Sequence, residues 1–532
     1  RGGADAMESL QGQLAGINIS RSSGRADVGF DIVIRGQNSI AGGSPLFVVD
    51  GLVVDNIDFL NPNDIERMDI LKDASSTAIY GSRGSNGVVI ISTKGAGGIN
   101  EKINITLDSY SGIKTPAHIA RMMTADEWLN YRIAASQGND PEPFSGDVFG
   151  STMEVRPVTG EEWDREMERR IKAGETYNWP EEFMENGYRT NHYLSMNGMS
   201  GKTSFSMTAG YQREKGFIEK DFMNKYTFSL DIRHQFNEKW EVGGQFRTGL
   251  KETEVAGGKS ILNYYRMPPL ALASDPTGWL FEDEGLTVRP ARWSTGAVNP
   301  LLDQKYSNSQ ARSIDLLGKI YLNYKPVEWL RLRSDFLPRF YWLRDASWSG
   351  LYSEGAGGIQ EDTEANSFNR HRLNFTWDNT VDATKSFGAH TIQGTALFSL
   401  YDFQQEDYGF EVRDLPQPTS FYNMEAAAVR TVSESSYSMN RLLSYMGRFN
   451  YDYANRYLLT VSMRWDGSSK LGEGYQWASF PSAAFAWRIS EEAFMNNIES
   501  ISTLKMRLSY GFTGNNNIDA YESSVNANGL YF

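Results

Sequence analysis

Residues Tyr457–Trp465 read YLLTVSMRW, and this stretch shows most clearly how the chain is built. Its odd-numbered positions are all apolar: Tyr457, Leu459, Val461, Met463 and Trp465. The opposite face carries Thr460, Ser462 and Arg464. Successive side chains of a β-strand point to opposite faces of its sheet. The stretch therefore predicts a strand with one face in an apolar medium and the other in a polar one.

The same alternation recurs along most of the chain, for example in Tyr226–Phe236, Ile314–Tyr324 and Leu504–Phe512. Strands in soluble sandwiches are usually shorter, about 5–6 residues. The pattern predicts a mainly β protein with one large sheet of long antiparallel strands. We count about 13 such runs, which begin near residues 102, 190, 202, 224, 239, 312, 329, 370, 390, 440, 456, 477 and 503.

The connections between these runs alternate between short and long. Aromatic content (13%) and mean hydropathy (−0.47) fit a soluble all-β protein such as a propeller nearly as well as a membrane barrel. The connections favour a transmembrane antiparallel β-barrel, which has short periplasmic turns at one end and longer extracellular loops at the other. Short connections fall at Ser200-Gly201, Asn237–Lys239, Lys325–Glu328 and Ala454-Asn455, and long ones at roughly 114–189, 251–310, 345–366 and 404–437.

Composition excludes several classes of function. The chain has no cysteine, which removes disulfides, thiolate metal sites and a cysteine nucleophile. Its net charge of −14 argues against nucleic-acid binding, which needs a basic face. The longest apolar run suggested for a strand is Val88–Ile91, far short of a membrane helix. If the chain spans a membrane, it does so as a closed sheet.

The ends of the chain suggest a piece of a longer protein. Bacterial single-chain barrels have an even number of strands, whereas the count here is odd. A barrel ending after the last run would leave an open sheet edge in lipid, so we expect further strands beyond Phe532. The chain also opens at Arg1-Gly2-Gly3 without an initiator methionine.

Residues 1–98 have a different pattern and are predicted to form a small mixed α+β domain. Short aliphatic runs such as Ile32–Ile34 and Val88–Ile91 read as buried strands bounded by turns. Asp50-Gly51 is a hairpin signal. Helices are predicted at Asp5–Leu14 and from Asn63 to about Leu71, with Asn63 as N-cap and Glu66 at the third helical position.

Several motifs of this domain resemble one known family. They are LQGQLAGI at Leu10–Ile17, IRG at Ile34–Gly36, PLFVVDG at Pro45–Gly51, NPNDIE at Asn61–Glu66, LKDA at Leu71–Ala74 and AIYGSRGSNGVV at Ala78–Val89. They resemble the plug domain of the SusC-like (SusC/RagA type) TonB-dependent outer-membrane transporters. The last motif is highly specific to that family, and SYG with TGNN at Ser509–Asn516 resembles one of its mid-barrel strands and the loop that follows.

The resemblance implies a plug domain at 1–98 inside a barrel of 22 strands, of which 99–532 supply the first part. It implies a Gram-negative outer membrane, and active import of oligosaccharides or other glycans in a Bacteroidetes-type polysaccharide utilisation system. The partners implied are TonB, through an N-terminal box absent from this chain, a SusD-like surface lipoprotein acting as lid, and surface glycan-binding proteins or glycosidases. The alternatives are an oligopeptide or siderophore importer of the same fold and, in a different class, a passive porin or adhesin barrel.

The plug motif residues are predicted to be structural. They are Arg35, Gly36, Asp50, Gly51, Asp73, Tyr80, Gly81, Arg83, Gly84 and Gly87. The three glycines at 81, 84 and 87 punctuate a short turn that needs close backbone approach or positive φ. Arg35 and Arg83 are expected to pair with carboxylates of the plug or the barrel wall.

The sequence has no motif that indicates enzymatic chemistry, so we predict that the protein is not an enzyme and holds no cofactor or metal. The turn Gly81–Gly87 lacks the Gly-Lys-Ser/Thr ending of a phosphate loop. The five histidines are far apart in sequence, and none has the spacing of a metal-ligand pair. Adjacent carboxylates such as Glu161-Glu162 are expected by chance among 66 acidic residues.

Candidate substrate-binding residues lie in the predicted extracellular loops. Aromatic rings beside carboxylates or amides suit neutral sugars, which stack on rings and form hydrogen bonds through their hydroxyls. The alternative for each residue is the outer aromatic girdle or simple loop packing. The candidates are Trp342, Trp348 and Tyr352 in one loop, and Tyr401, Asp402, Tyr408 and Asp414 in another.

Overall fold

A computed structural model of the chain describes residues 17–20, 29–34, 44–96, 102–131, 172–256, 300–416, 420–495 and 500–516, apart from a few single positions within these ranges. A few isolated residues outside the ranges are also described. The described chain forms a small N-terminal domain and one large antiparallel sheet that surrounds it.

The N-terminal domain contains a four-stranded mixed sheet and a separate two-stranded one. Within the larger sheet β3 pairs in parallel with β6, while β4 and β5 are antiparallel to their neighbours. The hairpin predicted at Asp50-Gly51 is confirmed, since both residues have positive φ between β3 and β4. The strands are β1 (Ile17–Ser20), β2 (Asp31–Ile34), β3 (Leu46–Val49), β4 (Leu52–Val54), β5 (Ile65–Leu71) and β6 (Val88–Thr93).

The helix predicted from Asn63 to Leu71 is wrong, because these residues form a short 3-10 turn at Pro62–Asp64 and then strand β5. The turn is capped by Asn61, whose side chain accepts a hydrogen bond from the Asn63 N–H at 3.0 Å. A bulge lies between Ile65 and Arg67, where β5 pairs with β6. The extra residue puts Ile65 on the same face as Met68, which gives the sequence a helix-like spacing.

Helices are short throughout the described residues. Met7 alone is described within the helix predicted at Asp5–Leu14, so that prediction lies outside the described residues. No helix of the described chain is both long and apolar enough to cross a membrane. The α-helices are α1 (Ala74–Thr77), α2 (Trp179–Phe183) and α3 (Pro300–Tyr306), and the remaining 3-10 turns are Ala78–Arg83, Met424–Ala426, Ile489–Glu491 and Ala493–Met495.

The large sheet has 13 strands among the described residues, and each pairs with its neighbours in chain order. The predicted strand count is therefore confirmed. Two small hairpins, β12 (Glu282–Asp283) with β13 (Leu286–Thr287) and β16 (Glu354–Gly355) with β17 (Gly358–Ile359), lie in connections. The sheet strands are β7 (Asn104–Lys114), β8 (Gly187–Ser200), β9 (Thr203–Lys215), β10 (Phe222–Gln235), β11 (Trp240–Ala256), β14 (Ser307–Val327), β15 (Leu330–Ser349), β18 (Glu364–Phe387), β19 (His390–Arg413), β20 (Val429–Tyr453), β21 (Tyr457–Ser468), β22 (Trp477–Arg488) and β23 (Lys505–Gly511).

The predicted alternation separates an inner from an outer face. In β21 the inner residues Ser462, Arg464 and Asp466 are buried, while Val461 and Trp465 on the outer face are 45% and 43% exposed. Near the short turns, outer aromatic rings stack in pairs, such as Trp240 with Tyr324 and Tyr457 with Trp487. An apolar outer band with aromatic rings at its rim is the surface that lipid requires.

The N-terminal domain lies against the inner face, so the sheet curves around it as the wall of a barrel. Its apolar core is continuous with Leu317 and Leu337, two inward-facing leucines of β14 and β15. The described residues of β7 and β23, the two edge strands, do not pair with each other. The last strand of the N-terminal domain ends at Thr93 and β7 begins at Asn104, and the boundary at residue 98 stays a prediction.

Candidate functional site

The first contact between the N-terminal domain and the wall is centred on Asp50. The Thr93 hydroxyl donates to its carboxylate at 2.7 Å, and the Thr93 N–H donates at 3.0 Å. Arg247 of β11 forms a salt bridge with the same carboxylate at 2.7 Å and also contacts the Thr93 hydroxyl. Lys319 of β14 donates to the Asp50 carbonyl oxygen at 2.7 Å. Two cations of the wall therefore hold the hairpin turn.

A second contact joins the turn at Ala78–Arg83 to strand β21. The Ser82 N–H and hydroxyl both donate to the Asp466 carboxylate, at 2.9 and 3.1 Å. Arg464 donates to the other oxygen of Asp466 at 2.6 Å and to the Ile79 carbonyl oxygen. Gly81 has φ 54° and ψ −123°, a conformation open to glycine, and its backbone lies directly against Asp466 and Arg464. The glycine thus permits the close approach that these bonds need.

Arg83 does not form the predicted carboxylate pair among the described residues. Its guanidinium lies over the Tyr401 ring of β19, 5.1 Å from the ring centre. Burial lowers the pKa of Arg83, and the nearby Arg464 lowers it further, whereas Tyr401, Asp466 and Asp378 act in the opposite direction. Burial also raises the pKa of Tyr80 in the same turn. Arg83 is therefore held by an aromatic ring and by more distant charges.

A third contact fixes the segment around Asn61 against strands β8, β10 and β11 of the wall. The Tyr193 hydroxyl of β8 donates to Asp64 at 2.8 Å, and Lys225 of β10 donates to the Leu60 carbonyl oxygen at 3.1 Å. A Cβ added at Gly249 would lie 2.8 Å from the Phe59 Cα, so glycine allows β11 to approach this segment. The domain is thus bound on several sides of the lumen.

Residues 55–58, which follow β4, face a charged region of the wall. Asp55 pairs with Arg372 of β18 at 2.5 Å and with Arg339 of β15 at 3.5 Å, while Asp58 pairs with Lys251 of β11 at 3.1 Å. A cavity of about 160 Å³ lies beside these pairs. Its lining includes Asn56, Asp58, Lys251, Ser313, Asp315 and Tyr341. Ring, amide, hydroxyl and charged groups therefore share one pocket.

The structure corrects the placement of the predicted substrate-binding residues, because the strands are longer than expected. Trp342 and Trp348 lie within β15, and Tyr401, Asp402 and Tyr408 lie within β19. Tyr401 alone among these five contacts the N-terminal domain. Asp414 directly follows β19, with φ 56°, and Tyr352 lies outside the described residues. Substrate binding by this set stays a prediction.

The remaining four residues lie on the outer face of the sheet: Trp342, Trp348, Asp402 and Tyr408. Trp348 packs with a cluster formed partly by Leu415 and Phe421 of the connection after β19. Asp402 accepts from Arg441 at 2.5 Å, and Tyr408 contacts His371 edge to face. Trp342 pairs with His371 across β15 and β18, on this same face. These contacts are those expected of residues in the outer aromatic girdle or in loop packing.

Comparison with known proteins shows which family the chain resembles. A model of the TonB-dependent receptor plug domain matches residues 1–88. TonB-dependent receptor SusC of Bacteroides thetaiotaomicron is 29% identical over 97% of this chain and 50% of its own length. TonB-dependent receptor P26 of Formosa agariphila has the same identity and the same coverage of both chains.

Along nearly its whole length the chain is similar to the SusC-like TonB-dependent transporters.

Solved structures give the same fold for this SusC-like chain. A RagAB peptide transporter structure superposes with a TM-score of 0.76 at 23% identity, covering 97% of this chain and 59% of that one. A RagAB structure in the closed-closed state gives 0.77 at 22% identity, with 98% and 60% covered. The SusC-like chain spans about half the length of the curated relatives it matches.

Sequence reasoning missed the wall residues that hold the plug, namely Arg247, Lys319, Arg464 and Asp466. Each occupies a polar position of an alternating run, so its inward direction could be predicted. Its partner could not, because the paired residues are up to 385 positions apart. Among the predicted plug motif residues, Arg35, Gly36 and Asp73 lie outside the described residues, and Gly84 and Gly87 flank the turn before β6.

Proposed function

We propose that the full-length protein lies in the outer membrane of a Gram-negative bacterium and imports a nutrient there by TonB-driven movement of its plug. The observation that carries this proposal is the binding of the plug to inward-facing residues of eight strands, from β8 to β21. A substrate of several sugars or amino acids needs the plug to move before it can pass. The family itself is named for TonB dependence.

The substrate we propose is an oligosaccharide. The cavity between the plug and the wall combines the Tyr341 ring with the amide of Asn56 and the hydroxyl of Ser313. Such groups can stack on a sugar ring and form hydrogen bonds with its hydroxyls. The resemblance to SusC-like transporters supports the same choice, and it also supports a SusD-like surface lipoprotein as lid.

An oligopeptide is the second candidate. The solved structures that superpose on this chain include a peptide transporter. The charged residues beside the cavity, such as Arg372, Lys251 and Asp58, would also suit the termini and side chains of a peptide. Competition between labelled oligosaccharides and unlabelled oligopeptides in uptake assays would separate the two candidates.

Uptake is expected to need energy and both partners. In cells carrying the full-length protein, collapse of the proton-motive force should abolish uptake of labelled oligosaccharide. Deletion of the TonB box or of the lipoprotein should stop growth on the complex glycan, while growth on the free monosaccharide continues. Uptake that persists without the proton-motive force would support a passive pore and overturn the proposed mechanism.

A further inference from the structure

Two plug carboxylates, Asp55 and Asp58, form salt bridges with cations of the barrel wall and remain about half exposed to solvent. Their side chains are 58% and 45% exposed, although Asp55 binds Arg372 and Arg339 and Asp58 binds Lys251. Water competes for the carboxylate of each pair, whereas the cations are largely buried in the wall. The carboxylates are therefore the side of each pair that another anion can replace.

Arg339 and Arg372 have other partners in the wall that would keep them in place if Asp55 left. Arg339 is almost fully buried and donates to both carboxylate oxygens of Asp315, at 2.9 and 2.6 Å. Arg372 donates through Nε to Gln405 at 2.5 Å. Both guanidinium groups also lie 5.7 Å from the centre of the Tyr341 ring. The cationic surface is thus part of the wall and does not depend on Asp55 for its position.

The cavity lies where a bound molecule could reach these pairs. Asp58 and Lys251 line it, and so do Tyr341 and Asp315, the neighbours of the two arginines. A substrate in the cavity that carried a carboxylate could bind Arg372 and Lys251 in place of the plug. Bidentate binding by arginine favours a planar carboxylate in this position.

We propose that this surface binds a carboxylate of the substrate in competition with Asp55 and Asp58, and that binding thereby releases residues 55–58 of the plug. The ligand class is an acidic oligosaccharide containing uronic acid, or an oligopeptide that presents carboxylates. The inference rests on the proposed import function and adds the recognised group. It also gives the plug a way to respond to an occupied lumen.

The test is calorimetric titration of the purified full-length protein in detergent at low ionic strength. The probes are trigalacturonate, triglutamate, neutral maltotriose and an amidated trialanine. We expect at least one acidic probe to bind about tenfold or more tightly than its neutral counterpart. Binding of trigalacturonate alone assigns the acidic saccharide, and binding of triglutamate alone assigns the peptide. Absence of an acidic preference overturns the proposal.

Substitutions on the two sides of the ion pair should have opposite effects. Arg372→Gln should weaken acidic binding by about tenfold, because a charge-assisted hydrogen bond is lost. Asp55→Asn should strengthen it by about threefold or more, because the competing carboxylate is removed. A merely structural role for Asp55 would weaken binding or leave it unchanged, and either result overturns the proposal.

The control substitution is Arg331→Gln, near the start of the neighbouring strand β15. Arg331 pairs with Asp382 of the wall at 2.8 Å, so the charge change and the loss of one ion pair are matched without any contact to the described residues of the plug. Its effect on acidic binding should be small. In the double variant, Asp55→Asn should have no effect once Arg372 is glutamine. Energy-dependent uptake that continues in all variants would leave the import function standing even if the carboxylate site failed.

Discussion

Replacing Val461 with lysine is expected to destabilise the barrel by about 2–4 kcal/mol, the cost of a lysine facing lipid near the membrane midplane. Val461 lies on the outer face of β21 and is 45% exposed. Tyr457 lies four residues before it and Trp465 four residues after it on the same face. These rings mark the two rims of the apolar band, so Val461 lies near its centre.

The measurement is the urea midpoint of the full-length protein folded in lipid vesicles. Thr460→Lys provides the matched control, since Thr460 is adjacent on the inner face and donates to Asn450 at 2.8 Å. A lysine there enters the polar lumen and should cost much less. Equal midpoints for the two variants would contradict the assignment of the lipid-facing side.

The second large effect is expected for Gly81→Ala, which should loosen the plug by about 1–3 kcal/mol or more. Alanine would have to adopt φ 54° and ψ −123°, and its Cβ would overlap the Asp466 carboxylate and lie 2.6 Å from the Arg464 Nε. The Asp466 carboxylate must shift to relieve this overlap, which weakens its hydrogen bonds from Ser82. The urea concentration at which the plug becomes sensitive to protease should therefore fall.

Gly388→Ala is the control for this substitution. Gly388 has φ 56° in the short turn between β18 and β19, and an added Cβ would meet nothing within 4 Å. The control carries the strain of positive φ without the contact to the wall. If both variants lower the protease-sensitive midpoint of the plug equally, then the approach of Gly81 to β21 does not hold the plug.

The strands of the barrel could be predicted because lipid and lumen impose opposite demands on successive residues. In Tyr457–Trp465 the pattern alone assigns each side chain to one face, and the structure agrees. The strand ends were harder to predict. Above the membrane the outer face meets water, so the alternation weakens, and Trp348 and Tyr408 were assigned to loops although they extend β15 and β19.

In the N-terminal domain the local sequence did not distinguish a helix from a strand. Ile65 and Met68 are three positions apart, which suits a helix as well as a bulged strand. Pairing with β6 decides between them, and β6 begins only at Val88, whereas β5 ends at Leu71. Local propensity carries no information about such a partner.

The sequence by itself determined the class of fold, the number of strands in the described wall and the face of each side chain within the alternating runs, because these follow from a local periodicity set by lipid on one side and water on the other. The tertiary structure alone decided which inward residues bind the plug. Asp50 with Arg247, Ser82 with Asp466 and Asp55 with Arg372 are pairs far apart in the chain. The charge of a side chain and the face it points to are set by its own position in the sequence. Which residue it pairs with depends on how the wall curves around the plug.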